Sequence, residues 1–197
     1  MSFKLYPDNA LKIRLDNVRC AFPVLNAPEQ FNGEGKARYS FTAIIDGADK
    51  ETIAKIHEIA LAAVVAEVGP TKAPALMKTL VANNKTAYGD GEKKANYEGY
   101  AGNFFVSAHS QTAPTLLDNV AGADGKPQAL VRPQNRIYSG SRCNVVMAFY
   151  YQSKYQRLCA SFSGVQFLCD DDAFSGTAPA SSDEFEAVAP AEDADLG

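Results

Sequence analysis

The 197-residue chain has no tryptophan, only two histidines, and no pair of cysteines close enough in sequence to share a metal. Each shortage removes a class of chemistry. His57 and His109 stand far apart, and the four cysteines at 20, 143, 159 and 169 form no CxxC pair, so the closely spaced ligands of a zinc site are missing. These cysteines lie in apolar, strand-like stretches, which predicts buried free thiols in a reducing compartment. No apolar run approaches the ~18 residues of a membrane span. Met1 to Tyr6 lacks the basic-then-apolar layout of a signal peptide. Neither membrane insertion nor export is therefore expected, and a cytoplasmic location is.

Catalytic signatures are equally scarce. Gly35-Lys36 and Gly125-Lys126 both lack the upstream glycine of a phosphate loop, and no GxSxG, HExxH or GxGxxG occurs. Asp170-Asp171-Asp172 reads either as a carboxylate cluster holding a divalent ion in a metal-dependent nuclease or as the solvated opening of an acidic tail; the second is preferred. The expectation is a non-enzyme with no cofactor and no metal.

What the chain does have is charge segregated along its length. From Asp170 to the end there are nine acidic residues and no Lys or Arg, whereas residues 1–169 carry all 19 basic side chains against 14 acidic ones, a net of +5. A basic body on an acidic tail points to a polyanionic partner, an acidic interaction tail, or both. The tail is dominated by Ala, Pro, Ser, Asp and Glu, with too little apolar area to offset the ordering of its backbone, so disorder is expected over 170–197.

The body alternates. Leu11 to Asp16, resuming through Val18 to Phe22 and stopping at Pro23, has the period of a strand with one wet face, and 26–36 reads as a polar loop. Arg38 to Asp46 is a second strand with Tyr39, Phe41, Ala43 and Ile45 on one face. Ile53, Ile56, Ile59, Ala60, Ala63 and Val64 recur at helical spacing between an Asp49 cap and Gly69-Pro70, and a shorter helix is expected over Pro74 to Val81. Residues 83–102 are loop-like, open to reading as a nucleic-acid clamp, an arm for a homodimer, or a plain flexible connection. Asn103 to His109 sets Phe104, Val106 and Ala108 against Phe105, Ser107 and His109. Short strands are expected at Thr115 to Leu117 and Ala129 to Val131, then a hairpin of Cys143 to Gln152 with Arg157 to Cys169, bulged at Gly164. Many short strands with an inserted helix make a mainly β (α+β) domain over 1–169, and a small closed or partly open barrel would hide the strand edges.

Nine tyrosines and eleven phenylalanines accompany the cations. Single strands of nucleic acid are held by Lys and Arg tracking the phosphates and by rings on which bases stack. Tyr39, Phe41, Phe104 and Phe149 fall in core register. Tyr150 and Phe105 lie on the opposite faces of their strands, and Tyr138 and Tyr155 lie in loops, where stacking and ordinary surface packing are both open. The stacking candidates are Tyr138, Tyr150 and Tyr155. The phosphate candidates are Arg38, Lys85, Lys93, Lys94, Arg136, Arg142, Lys154 and Arg157.

Several segments together resemble a family: Ile13 to Arg19 running into Ala21-Phe22-Pro23; Gly99-Tyr100-Ala101-Gly102-Asn103 leading into Phe104 to His109; Pro114 to Asp118; Ile137-Tyr138-Ser139-Gly140; and Gly164-Val165-Gln166-Phe167. Over roughly residues 10–170 the chain is similar to phage single-stranded DNA-binding proteins of the OB-fold, in the group first catalogued as a phage domain of unknown function. The resemblance implies a five-stranded Greek-key OB barrel and non-sequence-specific coating of single-stranded DNA in phage replication or recombination, in the host cytoplasm. It also implies a tail, here Asp183, Glu184, Phe185, Glu186, Asp193 and Asp195, that regulates binding or docks replication proteins. Many such tails end on an aromatic residue; this one ends Asp195-Leu196-Gly197. A phage virion component with a barrel and an acidic tail is the competing reading.

Overall fold

Alternation over Lys12 to Cys20 seats Ile13, Leu15, Val18 and Cys20 in the interior while Lys12, Arg14 and Asp16 stay at or near the surface. In the computed structural model, which describes residues 3–31 and 33–174, this segment begins the central strand of a nine-stranded sheet. The strands are β1 (Phe3–Leu5), β2 (Lys12–Phe31), β3 (Glu34–Ile45), β4 (Tyr88–Asp90), β5 (Phe104–Ser110), β6 (Thr115–Ala121), β7 (Pro127–Ala129), β8 (Arg142–Gln152) and β9 (Arg157–Cys169). Their spatial order is β4-β5-β3-β2-β8-β9-β6-β7, with β1 paired to β2. All ladders are antiparallel except β6 on β9. The sheet curls far enough for β5 to run beside β9, although among the described residues no ladder joins them. The core so enclosed holds Phe41, Ile13, Leu15, Val106, Met147, Phe149, Leu158 and Phe167.

The largest departure from the sequence expectation is the β2–β3 hairpin. In place of a strand ending at Pro23 and a polar loop over 26–36, β2 runs on to Phe31 and β3 starts at Glu34. Register shifts separate Ala21 from Val24, Val24 from Glu29 and Glu29 from Phe31. The extension projects into solvent, so no buried face imposes alternation on it. Pro23 falls inside an irregular step of the ladder, where its missing N–H costs no regular pairing.

Two helices cover one face. Helix α1 (Lys50–Val68) starts where the Asp49 carboxylate accepts from Thr52 N–H at 3.1 Å and Thr52 Oγ1–H at 2.7 Å, and stops at Gly69 with φ 81°. It buries Ile56, Ile59, Ala60, Ala63 and Val64, the helical stripe read from the sequence. Helix α2 (Ala73–Ala82) carries Pro74 in its first turn and follows at a 120° bend. Among the described residues no single helix is long and apolar enough to cross a membrane. The β8–β9 hairpin closes through Gln156 at φ 44°, and its ladder shifts between Val146↔Gly164 and Met147↔Phe162, the bulge predicted at Gly164.

A further expectation changes. All four cysteines are free, but only Cys20 and Cys143 are buried; Cys159 is half-buried and Cys169 exposed, because β9 leaves the core at its last residue. Asp170 to Phe174, which read from sequence as the opening of the tail, pack back onto the body, and Phe174 is buried with Ala21, Ile44, Tyr100 and Phe105.

Candidate functional site

The faces of β3, β5, β8 and β9 that turn away from the core converge on one groove. Arg38, Ser40 and Thr42 come from β3; Phe105, Ser107, His109 and Ser110 from β5; Tyr150 and Gln152 from β8; Arg157, Cys159 and Ser161 from β9. Lys50, Ile53 and His57 on the first turns of α1 form one wall. It continues through Val81 and Asn84 to Tyr88, Lys93 and Lys94. The cavity measures roughly 1770 Å³, larger than one small molecule needs. Five basic side chains line it against two acidic ones, Asp90 and Glu92, so it carries net positive charge.

Its polar floor is braced internally. Thr42 Oγ1 and Ser107 Oγ lie 3.0 Å apart, and Lys93 Nζ donates to Asn84 Oδ1 at 2.8 Å. The 91–102 part of the segment expected to be loop is stitched to itself and to Asn103 by Gly91 N–H to the Asn103 carbonyl (2.8 Å), Asn103 Nδ2 to the Gly99 carbonyl (2.9 Å) and Gly102 N–H to Glu92 Oε1 (2.7 Å). That bracing fixes Lys94 with its ammonium 4.3 Å from the Phe105 ring centre, where burial lowers its pKa. Among the described residues neither Arg38 nor Arg157 has an ion-pair partner, so both charges are available to a ligand.

His109 lies on the floor between those arginines. Burial, reinforced by Arg38 and Arg157, lowers its pKa from 6.5 to about 4, and its Nδ1 is buried without a hydrogen-bond partner. The sign of the resulting pH dependence follows. Unfolded, the imidazole takes a proton near pH 6.5; folded, it resists until about pH 4. Its contribution to stability is present above that window and is lost as pH falls through it. His109→Gln should accordingly show a smaller loss of stability between pH 7 and pH 4.5 than the unaltered chain in parallel urea titrations; equal losses would mean the imidazole is solvated.

Of the sequence candidates, Arg38, Lys93, Lys94, Tyr150 and Arg157 line the groove together. Lys154 and Tyr155 sit beyond it at the hairpin tip, the ammonium 5.4 Å from the exposed ring. Lys85 contributes its carbonyl, which accepts from Leu158 N–H at 3.0 Å and ties the segment before β4 to β9. Arg136, Tyr138 and Arg142 do not line the groove; they are engaged by Asp118 of β6 and by Asp170 and Asp171, which read from sequence as tail. Arg142 Nε meets Asp171 Oδ2 at 2.7 Å, with Arg19 Nε on the same oxygen at 3.4 Å. Arg136 pairs with Asp118 at 3.6 Å and Asp170 at 3.8 Å, over the Phe167 ring. Tyr138 donates its hydroxyl to the Asp171 carbonyl at 2.9 Å. Burial would raise the Asp171 pKa, but the Asp172 N–H, Arg142 and Arg19 outweigh it and hold it low. The acidic run is thus engaged with arginines, and among the described residues no group of three His, Cys, Asp or Glu side chains is placed to hold a metal. Asp183, Glu184, Phe185, Glu186, Asp193 and Asp195 lie outside the described residues.

Sequence reasoning missed Lys50, His57, His109 and Phe22 as groove residues. For His109 the signal was present, since alternation along β5 puts it on the same face as Phe105 and Ser107. Nothing in the local pattern announces Lys50 or Phe22.

The model of a protein family described as Enterobacter phage Enc34, ssDNA-binding protein, matches residues 11–196. Putative protein p50 of Acyrthosiphon pisum secondary endosymbiont phage 1 is 33% identical over 189 residues, 94% of this chain and 98% of that protein. Among solved structures, the single-stranded DNA-binding protein from bacteriophage Enc34 in complex with ssDNA is similar with a TM-score of 0.71 at 24% identity, covering 88% of this chain and 94% of that one. A C-terminal truncation of the same phage protein gives 0.69 at 24%, covering 88% and 93%. At that identity the structural likeness establishes a shared fold.

Proposed function

Because the chain belongs to the family of the Enterobacter phage Enc34 ssDNA-binding protein, we propose that it binds single-stranded DNA without sequence preference and serves phage DNA replication in the host cytoplasm. The observation that carries this is the groove: five cations line it, Arg38 and Arg157 have no ion-pair partner among the described residues, and an exposed ring stands at Tyr150. Phosphates would follow the cations and bases would meet rings, an arrangement that reads charge and π-faces but no base edges. The role needs no catalysis.

The circuit β2-β3-β5, then β9 and β8 back to β2, supports a five-stranded OB barrel, with α1 and α2 inserted between the second and third of its strands. Two units are proposed, a DNA-binding body ending at Phe174 and an acidic tail beyond it. With Asp183, Glu184, Phe185, Glu186, Asp193 and Asp195 the tail would compete with DNA for the basic groove and, once displaced, offer an acidic segment to replication or recombination proteins.

Fluorescence anisotropy with labelled oligo-dT and a duplex control tests both parts. The full chain should prefer oligo-dT, with log affinity falling steeply against log salt, and a 1–174 truncation should bind more tightly than the full chain. No binding of oligo-dT by either at low salt would refute the assignment; equal affinity of the two would refute the competing tail.

A further inference from the structure

Phe22 is half-exposed, at 53%, and its backbone adopts φ 48°. A bulky residue in the left-handed region is strained, and such strain persists where the surrounding structure imposes it and function uses it. The imposing structure is the register shift of β2 between Ala21 and Val24, which turns Phe22 away from the core. Tyr97, from the stitched segment before β5, is exposed to 46% and meets it edge to face, ring centroids 5.4 Å apart at 87°. Both rings rest on Tyr100, which is 1% exposed, with centroids 6.3 Å from Phe22 and 6.0 Å from Tyr97. Phe22 lines the basic groove on one side and a small cleft shared with Tyr97 on the other. The Lys94 ammonium lies 5.6 Å from the Tyr100 ring, so a cation stands beside this aromatic cluster.

We propose that Phe22 and Tyr97 form a stacking platform for an unpaired nucleobase at the end of the groove distinct from Tyr150. The occupant is identified by continuity and charge: the platform opens onto the cation-lined groove, and a base attached to a phosphate near Lys94 is the flat apolar group that such a pair accepts. Phe22 at 53% and Tyr97 at 46% exposure leave ring surface open to a ligand while covering the buried Tyr100 beneath. The proposal rests on the single-stranded DNA reading above.

The test uses the full chain at one low salt concentration, with oligo-dT and an abasic oligonucleotide of equal length and charge. The variant is Phe22→Gly with Tyr97→Ala, because glycine tolerates the positive φ and removes the ring without distorting the strand. Tyr97→Phe serves as the ring-conserving control, and a thermal melt confirms folding. We expect the double variant to lose on the order of tenfold in oligo-dT affinity while its abasic affinity holds, with Tyr97→Phe unaffected. Equal loss on both oligonucleotides, or none on either, overturns the platform. Tighter binding by the variant would place the chain's own tail on the rings and overturn it as well. Failure of the unaltered chain to bind either oligonucleotide would instead sink the single-stranded DNA reading, and the platform with it.

Discussion

Arg38→Glu combined with Arg157→Glu is expected to weaken oligo-dT binding by at least about a hundredfold at low salt. Each guanidinium that meets a phosphate contributes about 1.5–3 kcal/mol as a charge-assisted hydrogen bond, and ~1.4 kcal/mol is tenfold in affinity. Reversing the sign adds repulsion to the loss. The two sites are chosen because, among the described residues, their charges have no intramolecular ion-pair partner, so substitution removes ligand contacts and breaks no ion pair of the fold. Both side chains are exposed, which keeps the expected stability change small. The measurement that separates groove from general charge is the salt slope: removing two phosphate contacts should lower it by about 1.4, at ~0.7 per contact for a single strand. Arg142→Glu is the contrasting variant, because its guanidinium is held by Asp171. An equal loss of affinity in that variant would mean that the DNA path crosses the Asp171 cluster and that the groove is misplaced.

The same contrast explains what the sequence could reveal. Helix α1 was legible because a buried stripe and two caps agree, and the β8–β9 hairpin because both strands bury one face along their whole length. Alternation also put Tyr150, Phe105 and His109 on the face opposite the core, which is the groove face. The β2–β3 extension was illegible because a solvent-facing ladder has no apolar face to write a period. Lys50 was missed since its place in the groove is set by how α1 lies on the sheet, a tertiary fact. Arg136, Tyr138 and Arg142 lie outside the groove for a different reason. A cation beside an aromatic looks alike in sequence whether it awaits a phosphate or already holds a carboxylate, and these carboxylates come from Asp118, Asp170 and Asp171.

That internal cluster sets up the second large effect: truncation after Cys169 should melt on the order of 10 °C below truncation after Phe174. Two contributions compete in the difference. The ion pairs of Asp171 with Arg19 and Arg142 join side chains that are 23–35% exposed, and such pairs are worth no more than about 1 kcal/mol each. Phe174, by contrast, is 7% exposed, stacked on the Arg19 guanidinium at 4.1 Å, and seated where any side chain at Gly99 would collide with its ring at 2.2 Å. Removing a buried phenylalanine costs about 3–5 kcal/mol, and each kcal/mol moves the midpoint about 2–4 °C in a domain of this size. Packing therefore decides the outcome, and Asp171→Asn in the 1–174 chain should reproduce only a minor part of the shift. Equal melting of the two truncations would show that the 170–174 segment is not part of the folded body. Arg19, Tyr138 and Arg142 would then be free to meet phosphates, and the basic surface offered to DNA would extend around the end of the sheet.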